Sequence, residues 1–130
     1  MKVTRLRATA GVVALVAVLA GCGGGGGGGS QGYVQPKGAA IATISIEAGN
    51  FYFKPNQIDA QAGINEIKLT SAGGLHDLVF SGKFPGFQLE VSGSGDTQEL
   101  KADLKPGKYT FYCSIPGHRS QGMEGTITVK

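Results

Sequence analysis

Lys108-Tyr109-Thr110-Phe111-Tyr112-Cys113, running directly into Ser114-Ile115-Pro116-Gly117-His118-Arg119-Ser120-Gln121-Gly122-Met123, is the most informative stretch of this chain. Successive side chains of a β-strand point to opposite faces, so Tyr109, Phe111 and Cys113 form one row and Lys108, Thr110 and Tyr112 the other. The first row is apolar and ends on a thiol. This predicts a half-buried strand over Lys108 to Cys113 with Cys113 closing its core-facing row. Pro116-Gly117 and Gly122 then break the strand, and the loop they shape carries a thiol, an imidazole and a thioether five residues apart, at Cys113, His118 and Met123.

The same two-residue period recurs outward from this stretch, at Thr126 to Lys130, Ile64 to Leu69 and Ile41 to Ile46, and no segment has a helical period. Turn signals separate the runs: Gly49-Asn50, Lys54-Pro55-Asn56, Gly63, Gly73-Gly74, Pro85-Gly86, Gly93 to Gly95 and Pro106-Gly107. The predicted strands are Ala42 to Ala48, Gln57 to Gln61, Asn65 to Ser71, Asp77 to Ser81, Thr97 to Asp103, Lys108 to Cys113 and Gly125 to Lys130. Gly82 to Asp96 reads as a loop with room for a short strand at Gln88 to Val91. Short, regularly punctuated strands in about 100 residues predict an all-β antiparallel sandwich or barrel with a single core.

The chain has only two histidines, His76 and His118. His76 follows the Gly73-Gly74 turn and shares its strand parity with Leu78 and Phe80, which directs its imidazole inward. Taken singly, each candidate has a bland reading: Cys113 as a small buried hydrophobe, His76 as a core histidine, His118 as a solvated loop residue and Met123 as a gap-filler. Taken together they match one chemistry. A copper ion cycling between Cu(I) and Cu(II) requires soft sulfur for the reduced state, imidazole acceptable to both states, and a trigonal site with a weak axial sulfur.

Tyr109-Thr110-Phe111-Tyr112-Cys113, Pro116-Gly117-His118, Gly122-Met123 and Gly125-Thr126-Ile127-Thr128-Val129 resemble the ligand loop of plastocyanin-like and auracyanin-like cupredoxins, and Gly74-Leu75-His76-Asp77 resembles their first-histidine loop. The resemblance covers nearly all of Ile41 to Lys130. It implies a Greek-key β-sandwich of about seven or eight strands holding one type 1 copper ion at one end. His76, Cys113 and His118 would form the trigonal set and Met123 the long axial contact. Plastocyanin has asparagine after its first histidine where this chain has Asp77. Its backbone N–H is expected to reach the Cys113 sulfur and its carboxylate to bind the ligand loop. An apolar rim around His118 is expected from among Leu75, Phe84, Pro85, Phe87, Ile115 and Pro116; for Phe84 and Phe87, filling the core is the equal alternative. Tyr112, on the outer face beside Cys113, is a weaker candidate for a second electron path, because plastocyanin flanks its tyrosine with acidic clusters absent here.

The N-terminal part concerns location. Lys2, Arg5 and Arg7 precede an apolar run from Ala8 to Ala20 that is too short to span a bilayer as a mature helix. The run ends in Leu19-Ala20-Gly21-Cys22, which resembles the lipobox of bacterial lipoproteins; an ordinary secretory signal is the alternative. Residues 1–21 are thus expected to be a cleaved lipoprotein signal, Cys22 the lipidated residue, residues 22–32 a glycine-rich tether, and residues 33–130 the folded domain. Those three cations account for the whole-chain net charge of +3, so the mature chain is neutral and nucleic acid is not an expected partner.

The expected function is single-electron transfer outside the cytoplasm, by a monomer anchored through Cys22 to the cell membrane on its periplasmic or extracellular side. Transient redox partners would dock near His118. With its coordination positions filled by protein, the site is not expected to be an enzyme's. No further histidine is left for a catalytic copper, and the loop after Cys113 holds no second cysteine for a binuclear one. The alternative function is a membrane-tethered protein that stores copper or delivers it to an oxidase.

Overall fold

The computed structural model describes residues 32–130; the expected signal, Cys22 and all of the tether except Gly32 lie outside the described residues. Alternation builds the first sheet. In β1 (Ala42–Gly49), Ile44, Ile46 and Ala48 are buried while Thr43, Ser45 and Glu47 face solvent. β1 runs parallel to β4 (Gly63–Ser71), which pairs antiparallel with β7 (Thr97–Leu104), and β2 (Tyr52–Lys54) folds back on the end of β1. The order across this sheet is β2-β1-β4-β7.

The second sheet is formed by β3 (Gln57–Ala60), β5 (Leu75–Phe80), β6 (Leu89–Ser92), β8 (Gly107–Tyr112) and β9 (Glu124–Val129). Its order is β3-β9-β8-β5-β6. β3 pairs parallel with β9, while β8 pairs antiparallel with both β9 and β5. The all-β sandwich expected from the sequence is what the chain forms, with two differences. The antiparallel pattern is interrupted by the parallel pairs β1–β4 and β3–β9. Tyr52–Lys54 also adds a three-residue strand that the turn signals on both sides conceal.

Between the sheets, Ile46, Ile67, Leu69 and Leu104 meet Leu78, Leu89, Val91, Phe111 and Ile127, all essentially without solvent contact. Fully burying one such side chain is worth about 1.5–3 kcal/mol. Phe84 and Phe87 are settled by an aromatic cluster that packs on the core. Phe80 lies 5.2 Å and 5.0 Å from their rings, Tyr33 packs edge-on against Phe87 at 5.1 Å, and Tyr109 stacks on Phe84 at 5.6 Å. Both therefore belong to the interior side of the sandwich rather than to a surface around His118. The Tyr33 hydroxyl donates to the Lys101 carbonyl at 2.8 Å and ties the start of the domain to β7. Among the described residues, no helix is long and apolar enough to cross a membrane.

Candidate metal centre

The sandwich brings three separated pieces of chain to one end. His76 lies near the start of β5, Cys113 immediately follows β8, and Met123 immediately precedes β9. Because β8 and β9 are paired up to Tyr112 and Glu124, the segment between them must close as a loop over the end of the sheet. Its backbone is internally bonded: Cys113 N–H donates to Met123 O at 3.1 Å, Met123 N–H to His118 O at 3.2 Å, and His118 N–H to Ile115 O at 3.0 Å. A 3-10 turn at Arg119–Gln121 ends on Gly122, whose φ of 109° suits a residue without a Cβ.

Within this frame, one ligand atom each from His76, Cys113 and His118 lies within 4.8 Å of the others. The Cys113 sulfur is 3.5 Å from His118 Nδ1, and the two imidazole rings are 5.3 Å apart. His76 Nε2 is 2.9 Å from the Gly73 carbonyl, which fixes that nitrogen as the N–H donor. His76 Nδ1 is left buried with no hydrogen-bond partner. A buried acceptor without a partner costs about 1–3 kcal/mol, and a metal ion supplies what it lacks. Met123 is fully buried beside this group through its backbone bonds to Cys113 and His118.

Burial pushes the Cys113 thiol above its ordinary value, while N–H groups of Asp77 and Ile115 directed at the sulfur pull the other way. Burial lowers His76, and His118 nearby lowers it further, so the neutral imidazole with an available lone pair is favoured. Asp77 is buried, although strand parity alone would place it outside. Its Oδ1 accepts from Ser114 N–H at 2.5 Å, and its Oδ2 accepts from the Ser114 hydroxyl and from Gln88 Nε2 at 2.8 Å. The expected links from Asp77 to the sulfur and to the ligand loop are thus both present. Gln88 was not foreseeable, because a glutamine after two loop phenylalanines carries no sequence signal for a distant carboxylate.

A copper ion suits this donor set, with one thiolate and two imidazoles about a common point and a thioether side chain in the adjoining loop. Residues 40–130 match the family described as copper binding proteins, plastocyanin/azurin family. The chain belongs to the plastocyanin/azurin family. Among its relatives, plastocyanin of Dryopteris crassirhizoma is 37% identical over 98 residues, covering 65% of this chain and 93% of that one. Plastocyanin of Vicia faba is 34% identical over 93 residues, covering 62% and 90%. The solved structure of auracyanin B superimposes with a TM-score of 0.61 at 18% identity, covering 78% of this chain and 96% of that one, a likeness of fold. Proteins of the plastocyanin/azurin family bind one copper, and this chain presents that family's site at His76, Cys113, His118 and Met123.

His118 is the member of the trio that reaches solvent, since His76 and Cys113 are buried and His118 only partly so. Phe51, which the sequence does not single out, packs edge-on against the His118 ring at 5.1 Å and is 37% exposed. Leu75, beside His76, is half exposed, Pro116 is exposed, and Ile115 packs against the core. The apolar part of the solvent side of this end is therefore formed by Phe51, Leu75 and Pro116. Tyr112 is covered: the Arg119 guanidinium lies 3.9 Å from its ring centroid, and Arg119 Nε is held by Glu124 Oε2 at 2.5 Å. That arrangement occupies the ring face with a cation, in place of the acidic surroundings a plastocyanin-like second path would have.

Proposed function

We propose that the chain is a type 1 blue copper protein that carries single electrons between membrane-associated redox partners outside the cytoplasm. His76 Nδ1, the Cys113 sulfur and His118 Nδ1 serve as the trigonal ligands, and Met123 as the axial one. Copper bound there supplies the one-electron couple. The observation that carries the reading is the buried His76 Nδ1, left without a partner beside a thiol and a second imidazole.

The residues contribute rigidity and access. His76 is locked by Gly73, the Cys113 loop by Asp77 and by Met123, so little of the frame has to move when charge changes. Electrons pass through the exposed edge of His118, and partners dock transiently over the Phe51, Leu75 and Pro116 surface. The protein acts as a monomer and catalyses no reaction of its own. Cys22 carries the lipid that holds it to the cell membrane, facing the periplasm or the cell exterior.

The test is copper retention against electron exchange. The copper-loaded protein is expected to cycle reversibly with small inorganic oxidants and reductants while a strong chelator removes its copper only slowly. Copper stripped within seconds, with slow electron exchange, would instead make the chain a storage or delivery protein.

A further inference from the structure

The buried carboxylate behind the Cys113 loop has an arrangement that a copper-binding role does not by itself require. Asp77 is 1% exposed, and the ion pairs among the described residues, Lys105 with Asp103 and Arg119 with Glu124, do not include it. Instead both carboxylate oxygens act as acceptors, from Ser114 N–H, the Ser114 hydroxyl and Gln88 Nε2. Acceptance at both oxygens is the hydrogen-bonding pattern of the anion. A buried anion met only by neutral dipoles keeps most of its field, because the low local dielectric screens it poorly. The backbone N–H of the same residue points at the Cys113 sulfur, and Ser114 is covalently next to it. The charge therefore stands beside the thiolate. A negative charge there favours Cu(II) over Cu(I).

Gln88 modulates that field. It is partly exposed and lies just before β6, at the end of the loop that carries Phe84 and Phe87 into the core. Its amide spreads part of the Asp77 charge, and it joins that loop to the residue that follows the thiol. Resting on the function proposed above, we propose that Gln88 and Asp77 form a potential-setting pair. Asp77 lowers the reduction potential of the copper site through its charge, and Gln88 is a positioning residue that limits that effect by donating to Oδ2.

The test compares spectroelectrochemical midpoint potentials and visible spectra of the copper-loaded full-length protein with those of D77N and Q88L. D77N removes the charge and is expected to raise the ratio of Cu(I) to Cu(II) affinity about tenfold, an upward shift of about 59 mV for one electron. Q88L withdraws a donor from an intact charge and is expected to lower that ratio about threefold. A role confined to holding the loop would not move the two variants in opposite directions. If D77N takes up no copper, S114A replaces it: it also withdraws a donor from Oδ2 and is expected to lower the ratio as Q88L does. A blue wild-type protein whose potential is unmoved, or shifts the same way in D77N and Q88L, overturns this proposal alone; a wild-type protein with no blue band overturns the electron-carrier reading and this one with it.

Discussion

His76 shows how a single side chain can be prepared for a metal before any metal arrives. Gly73 takes one ring nitrogen, burial suppresses protonation, and the other nitrogen has no protein partner. The two perturbed ligands set a pH window for the copper-free protein. Folding holds His76 below its ordinary 6.5, so below that pH the unfolded chain takes up the proton more readily and stability falls as pH drops. Folding holds Cys113 above its ordinary 9.0, so above that pH the unfolded chain releases the proton more readily and stability falls as pH rises. Thermal unfolding of the copper-free protein across a pH series should therefore give a plateau in Tm between these values with a decline on either side. A Tm that keeps rising below pH 6.5 would contradict the account. At this scale the ligand types and order were legible in the sequence, because thiol, imidazole and thioether stand on one short loop. Phe51 and Gln88 were not, since each acts on a residue far from it in the chain.

Among the elements, β8 and β9 decide the site, because their pairing determines where the ligand loop begins and ends. Their alternating rows make both visible in the sequence. Parallel and antiparallel strands share the same two-residue period, which is why the parallel pairs β1–β4 and β3–β9 could not be read from alternation. β2 was hidden for a different reason: it has only three residues, too few for a measurable period, and the last, Lys54, belongs to the Lys54-Pro55-Asn56 turn signal. β9 also contains a packing constraint. A Cβ on Gly125 would stand 2.7 Å from the Asn56 carbonyl and collide with the Phe111 ring in the core. Gly125→Ala should destabilise the protein by about 1–3 kcal/mol, measured as a lower urea midpoint. A midpoint equal to that of the wild type would show that β9 and Phe111 are packed less tightly than described.

For the whole molecule, the sandwich acts as a rigid holder with one uncharged end. The exposed apolar side chains at this end are Phe51, Leu75 and Pro116, and Arg119, itself exposed, is paired with Glu124. Docking governed by apolar contact rather than charge should be nearly indifferent to salt. Electron-transfer rates with a physiological partner are expected to change less than about threefold between ~0.01 and ~0.5 M salt, as measured by stopped-flow; a much steeper dependence would place docking on a charged face. Attachment is tested separately. Cells supplied with labelled palmitate should incorporate it into the wild-type protein and not into Cys22→Ala, and equal labelling of both would remove the lipid anchor from the proposal. The central claim, a copper thiolate formed by Cys113 with His76 and His118, is tested most directly by the visible absorption spectrum after one equivalent of Cu(II), taken on the wild-type protein and on Cys113→Ser. The account predicts an intense blue band in the wild type that disappears on reduction and is absent from Cys113→Ser; a colourless wild-type protein, or a mutant that keeps the band, would contradict it.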